Sequence, residues 1–212
     1  MYLLKPMKTR LGLFLACCLI LNSCRDTQKS EEALQKARDI YFSYEVDENL
    51  KVDQSLKLTN RALDYNGQNI AALNHKTMLL FRKKDSKGLI QVADKLFEIT
   101  NKPYYLSQKA LYLELDNQNK KAQEYYSQAI ESYKNILKNE AQNFDLLIEY
   151  IGILEVYGDT IKANKILNEM EDMGFEKYQL EMVDLYRKQN FSKEVIFKYW
   201  RGEIEYSQVR PN

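Results

Sequence analysis

The stretch from Pro103 to Leu137 most constrains what this chain can fold into. From Ala122 onward, Ala122, Tyr125, Tyr126, Ala129, Ile130, Tyr133, Ile136 and Leu137 follow one another at steps of three, one, three, one, three, three and one. At 3.6 residues per turn those steps keep every one of them on a single face of a helix. Upstream, Pro103-Tyr104-Tyr105-Leu106 and Ala110-Leu111-Tyr112-Leu113 make a second apolar run. Asp116-Asn117-Gln118-Asn119 separates the two. The pattern predicts a helix, a turn of a few residues and a second helix. Neither helix can bury its stripe alone, so each needs neighbours.

The neighbours look like copies of the same unit. The residue opening each second helix is Ser55, Leu89, Ala122, Ala163 and Val195, at spacings of 34, 33, 41 and 32 residues. The longer spacing predicts about two extra helical turns after Ser132. A period in the thirties filled by a helix pair marks a helical solenoid. Polar breaks fall at the matching places: Asp47-Glu48-Asn49, Asn66-Gly67, Lys84-Asp85, Asn101-Lys102, Asn117 to Asn119, Glu140 to Asn143, Gly158-Asp159, Gly174 and Gln189-Asn190. Gly67, Gly158 and Gly174 suit the left-handed residue that ends a helix. Asp85, Asp159 and Ser192 suit the caps of the helices that follow. Seven glycines and three prolines leave little turn chemistry for hairpins, and no alternating strand of useful length stands out.

Small residues at the crossing of two helices, with an aromatic residue further along the second, resemble the tetratricopeptide repeat family. Ala110, Ala122, Tyr126 and Ala129 carry the resemblance, with Gly158-Asp159 before Ala163 and the late small residue Ala62. Leu89 and Val195 stand where alanine is usual, and the proline that often ends a unit occurs only as Pro103. The fold class implied is all-α, a right-handed solenoid of about five antiparallel helix pairs. The first pair, roughly Glu31–Tyr44 and Leu50–Leu63, is the least repeat-like, as a terminal capping element would be.

The first residues give an address. Lys5, Lys8 and Arg10 precede an apolar run from Leu11 to Leu21. As a helix that run spans about 16 Å, too short for a hydrocarbon core of about 30 Å. Charge, short apolar core and a small-residue end describe a secretory signal. Leu21-Asn22-Ser23-Cys24 resembles a bacterial lipobox, which implies cleavage before Cys24 and acylation of its sulfur and new amino group. Cys17 and Cys18 lie in the segment to be removed, so Cys24 would be the only thiol left and no internal disulfide could form. Two or three acyl chains anchor firmly. Resemblance to lipoprotein sorting in Gram-negative bacteria, where Asp after the lipidated cysteine signals inner-membrane retention, implies from Arg25 at that place the outer membrane, facing the periplasm or the outside. The expected organisation is a signal peptide over 1–23, a lipidated tether over 24–30, repeats over 31–206 and a tail over 207–212.

The sequence offers little for catalysis. Removing the signal takes the formal charge from +1 to −2, and Lys and Arg are interspersed with Asp and Glu. The closest approach to a basic patch, Arg82-Lys83-Lys84 with Lys87, is interrupted by Asp85, so nucleic acid is not an expected partner. His75 is the single histidine and reads as a helix-surface residue. With no second histidine and no mature thiol, neither a metal site nor a Cys/His nucleophile is expected. Acidic pairs such as Glu31-Glu32 and Glu169 with Asp172 read as exposed helix residues. The scattered glycines make no phosphate loop. No cofactor, metal or small-molecule substrate is expected, and the protein reads as a non-enzyme.

Solenoids of this kind bind with the concave face lined by the first helix of each pair. The resemblance puts Asn74, Met78, Phe81 and Arg82, then Tyr104, Ser107, Leu111 and Glu114, then Asp145, Ile148, Gly152 and Glu155 on that face. The set lacks the Lys, Arg and Asn cluster that clamps a peptide carboxylate. Phe191, Val195, Ile196, Phe197, Tyr199 and Trp200 either close the end of the core or form a docking patch. Two functions compete: a scaffold or adaptor for protein partners in the cell envelope, and an immunity protein that neutralises one toxin or enzyme there.

Overall fold

A computed structural model describes residues 26–43, 47–188 and 193–208. The described residues are helical, with no strand among them. Among the described residues ten helices follow in order: α1 (residues 26–41), α2 (Glu48–Tyr65), α3 (Ile70–Arg82), α4 (Ser86–Thr100), α5 (Pro103–Leu115), α6 (Asn119–Leu137), α7 (Phe144–Tyr157), α8 (Thr160–Glu169), α9 (Lys177–Lys188) and α10 (Lys193–Arg201). Short 3-10 turns follow α8 at Met170–Asp172 and α10 at Tyr206–Gln208. The chain divides into two compact units, Met1–Leu79 and Leu80–Asn212, with the boundary inside α3.

In the first unit, α1 begins at residue 26, ahead of the expected start at Glu31. Residues 26–30, read as a tether, are therefore helical. Ser30 is the reason: it is fully buried and donates its hydroxyl to the Ala62 carbonyl at 2.8 Å. Asn69 Nδ2 donates back to Ser30 Oγ at 2.9 Å, while Asn69 Oδ1 accepts from the backbone N–H of Ala72 and so caps α3. The apolar core pairs Ala33 and Leu34 with Ala62 and Ala72, and Tyr41 with Val52 and Leu79.

His75 corrects the sequence reading. It is buried at 7% exposure rather than on the helix surface. Its Nε2 lies 2.9 Å from Ser55 Oγ, and its ring meets Tyr41 edge-on with centroids 5.8 Å apart. A serine at the helix crossing, in place of alanine, supplies the polar partner that makes this burial tolerable. Burial pushes the imidazole down to about 4, and the Arg38 charge adds to the shift.

Three turns of the second unit share one geometry. The turns after α3, α5 and α7 close in one way. Asp85, Gln118 and Asp159 donate their N–H to the carbonyls of Leu80, Leu113 and Leu154, and Lys84, Asn117 and Gly158 donate to Phe81, Glu114 and Glu155. The residue between is left-handed each time: Lys84 (φ 55), Asn117 (φ 62) and Gly158 (φ 106). This is the Schellman closure, which satisfies carbonyls that a helix end leaves open. Leu89, Ala122 and Ala163 each stand four residues beyond these turns and donate to Asp85, Gln118 and Asp159. All three are buried. Asp85 and Asp159 act as expected, accepting from Gly88 N and Lys162 N.

Other sequence expectations shift. Gly67 does not take a left-handed conformation; α2 ends instead on extended Asn66 (φ −142). Asn101 is left-handed where no glycine signalled it (φ 53). Ser192, Gln189, Asn190, Phe191 and Cys24 lie outside the described residues. The long spacing before α8 is met by a 19-residue α6 and a connection running to Asn143, whose side chain caps α7 by accepting from Leu146 N. The main core joins Leu106, Ala129, Tyr133, Phe144, Leu147, Ile151, Leu154, Ala163, Leu167, Met170 and Val183.

Candidate partner-binding face

The residues expected on one inner face meet different fates. In the first unit, Asn74 is exposed and Met78 half-buried. In the second unit, Tyr104 stays exposed at 38%, and its phenol oxygen accepts from Gln108 Nε2. Asp145 is exposed and Leu111 half-buried. Ser107 is buried, donating its hydroxyl to the Tyr104 carbonyl at 2.7 Å. Ile148 packs against the main core. Gly152 faces Tyr186 of α9, whose hydroxyl would lie 3.3 Å from an added Cβ.

Three carboxylates in this unit are held by tyrosine hydroxyls from neighbouring helices. Tyr126 donates to Glu114 at 2.9 Å, Tyr133 to Glu149 at 2.5 Å and Tyr186 to Glu155 at 2.9 Å. Tyr126 and Tyr133 are fully buried. Burial, with the carboxylate beside each, pushes all three phenols well above the usual tyrosine range. Burial also raises Glu155, against the lowering effect of the Tyr186 bond. The sequence pointed to Glu114 and Glu155 but not to the tyrosines that fix them. The readable signal was an aromatic at a buried helix position with a polar tip to satisfy.

The remaining members, Phe81, Arg82 and Glu114, are covered by α10. Lys193, at the start of α10, reaches Glu114 at 2.5 Å and lies over the Tyr126 and Phe197 rings. At the other end Tyr199 stacks on Phe81 with centroids 5.3 Å apart and donates its hydroxyl to the Arg82 carbonyl at 3.0 Å. Trp200 and Tyr206 also approach Phe81, and the Arg82 guanidinium sits 4.5 Å from the Tyr206 ring centre. Ile196 and Tyr199 are buried, whereas Glu194, Lys198 and Arg201 face outward. Arg201 pairs with Glu194 at 2.9 Å and with Glu203. The aromatic end of the chain thus reaches back 117 residues rather than only closing its own end of the core.

Beside α10 lies a cleft of about 800 Å³ lined by Glu114, Glu155, Tyr157, Arg187, Lys193 and Phe197 among others. Tyr157 is exposed at 39% on its wall. Among the described residues no group of three or more His, Cys, Asp or Glu is placed to hold a metal ion. None of the described helices is long and apolar enough to cross a membrane. The arrangement defines a class: among the described residues, an all-helical fold whose neighbouring helices pack together and present a carboxylate-bearing, aromatic-rimmed face. No protein-family model matches the chain, and no curated protein sequence matches it.

Proposed function

We propose that this protein is a lipid-anchored scaffold of the bacterial cell envelope that holds protein partners on the inner face of a right-handed, tetratricopeptide-like solenoid. The observation that carries the reading is the repeated hairpin: three turns close alike and bring Leu89, Ala122 and Ala163 to the same buried position beyond each. Repeating helix pairs of this kind serve recognition through extended surfaces. The anchor rests on the basic segment, the short apolar core and Leu21-Asn22-Ser23-Cys24. Fold alone does not name a function, so the partner must be found by experiment.

Replacing Cys24 by serine should release the protein from membrane fractions and abolish labelling by a fatty-acid analogue. Labelling and membrane attachment that persist in Cys24→Ser overturn the anchor. Gentle crosslinking with mass spectrometry should return several resident envelope proteins. Phe81 and Arg82 are covered by α10, so the test falls on the exposed members of that face: changing Tyr104 and Asp145 together should weaken capture, because truncating central anchors of an interface often costs about 1 kcal/mol or more each. A single very tight partner, with loss of this protein lethal only beside it, would instead establish an immunity protein. A turnover that vanishes on changing one polar residue, with the fold intact, would make it an enzyme.

A further inference from the structure

We propose that the cleft beside α10 is a site for a primary alkylammonium group, seated on the Glu155 carboxylate, and that a lysine of a protein partner supplies it. The site rests on geometry alone. The source of the lysine deepens the scaffold reading and rests on it.

The chain itself shows what such a carboxylate takes. Glu114 and Glu155 hold the same place in successive units, each eight residues ahead of a buried alanine, Ala122 or Ala163. Both lie in the last turn of a helix, α5 and α7, and neither turn has a basic residue of its own. The carbonyl end of a helix favours a cation. Each carboxylate accepts a phenol hydroxyl at 2.9 Å, Glu114 from Tyr126 and Glu155 from Tyr186. The donors arrive by different routes, because Leu167 stands where Tyr126 would recur. Glu114 then holds the Lys193 ammonium at 2.5 Å, and that ammonium lies 5.5 Å from the Tyr126 ring centre. The seat is thus a carboxylate, a phenol and an aromatic ring around one ammonium.

Glu155 repeats this seat without an ion pair. The other charged side chains on the cleft wall are engaged: Lys193 with Glu114, Glu194 with Arg201, and Arg187 with Glu171 and Asn168. Among the described residues no basic side chain pairs with Glu155, and its Oε2 accepts from Tyr186. Oε1 remains for an incoming donor. Burial raises the carboxyl and the Tyr186 bond opposes it, as for an anion with a phenol beside it and no cation. Tyr157, exposed on the same wall, supplies a ring. Val156 and Phe197 supply apolar surface for an aliphatic stem. A volume of about 800 Å³ lies within the range of small-ligand sites. A lysine side chain meets all of these features, whereas an anionic ligand would meet the Glu155 charge.

The probe is Nα-acetyl-lysine methylamide, titrated into the isotope-labelled full chain and followed by amide NMR signals. Its size puts half-saturation on the order of millimolar. The expected result is saturable movement of the Tyr157, Gly158 and Thr160 signals. The same probe acetylated on its side-chain nitrogen keeps the stem and loses the charge, and should leave them in place. Glu155→Gln keeps an acceptor for Tyr186 and should weaken binding on the order of tenfold. Carbodiimide coupling in envelope fractions reads the source, since it joins a carboxylate to an amine in contact with it. The Glu114–Lys193 pair is the internal control. The expected product is a Glu155 peptide joined to a lysine of another protein.

Signals that stay in place well above that concentration overturn the proposal. So does equal binding of the side-chain-acetylated probe, or unchanged affinity in a Glu155→Gln chain of normal helicity. If Glu155→Gln loses helicity, the two probes compared on the parent decide the matter. Envelope proteins captured elsewhere but never joined at Glu155, while Glu114 and Lys193 couple, leave the scaffold standing and overturn the lysine source. A charge-dependent response at Glu155 with no envelope protein captured leaves the ammonium site standing, with a free alkylammonium as its ligand, and the scaffold falls.

Discussion

His75 donates to Ser55. The Ser55 hydroxyl has one proton, and it is directed to the Ala37 carbonyl at 2.8 Å. The imidazole Nε2 at 2.9 Å must therefore carry the proton of the second bond. This fixes the neutral tautomer with hydrogen on Nε2. The contact joins α1, α2 and α3 at one buried point.

That arrangement predicts a pH dependence. The native imidazole titrates at about 4 and the unfolded one near 6.5. Between these values the unfolded chain binds a proton that the native chain does not, so stability falls as pH falls. Above about 6.5 the group contributes no slope. The full effect is about 3 kcal/mol lost on going from pH 6.5 to 4. Urea unfolding at several pH values measures it. His75→Gln can still donate to Ser55 and should flatten this part of the profile. An unchanged slope in that variant would assign the acid sensitivity elsewhere.

The helix pairs were legible because they rest on apolar period, and period survives any choice of surface residue. The caps at Asp85 and Asp159 were legible because a short carboxylate before an apolar run has few other uses. Lys84 and Asn117 were not, since a left-handed lysine or asparagine carries no signal of its own and is held there by two backbone bonds. His75 was misread because its neighbours Asn74 and Lys76 are polar, and only Ser55, twenty residues away, reveals the buried partner. The covering of Phe81 and Glu114 by α10 could not be read either. It depends on contacts between residues 79 and 117 positions apart, and no local period encodes them.

Gly158 and Asn117 occupy equivalent turns and give opposite predictions. Gly158 has φ 106, and nothing lies within 4 Å of an added Cβ. Gly158→Ala therefore meets no clash and should cost about 1–2 kcal/mol purely through the left-handed backbone. Asn117 already bears that strain at φ 62. Asn117→Gly should leave stability unchanged or raise it by up to about 1 kcal/mol. Thermal unfolding of the two variants tests the shared turn, and equal shifts of one sign would refute it.

Ala122 sets how closely α5 and α6 approach. It is fully buried among Ala110, Leu113 and Tyr126. Ala122→Leu inserts three carbons where two alanines face each other and should destabilise by about 1–3 kcal/mol through overpacking. A neutral result in chemical denaturation would mean that the crossing has slack and that the small residue there is not required by packing.

Tyr133 separates the value of a hydroxyl from that of a ring. The side chain is fully buried, stacks on Tyr150 with centroids 6.0 Å apart and donates to Glu149 at 2.5 Å. Tyr133→Phe keeps the ring and takes a donor from a carboxylate, which should cost about 1–3 kcal/mol. Tyr133→Ala also removes the ring and leaves a cavity, for a total of about 3–5 kcal/mol. Burial and the Glu149 charge hold the phenol protonated well past the ordinary tyrosine range. A spectrophotometric titration of the folded protein should therefore show one fewer late-titrating tyrosine in Tyr133→Phe than in the parent. If Tyr133→Phe is as stable as the parent, the hydroxyl contributes nothing net, and the ring alone holds α6 against α7.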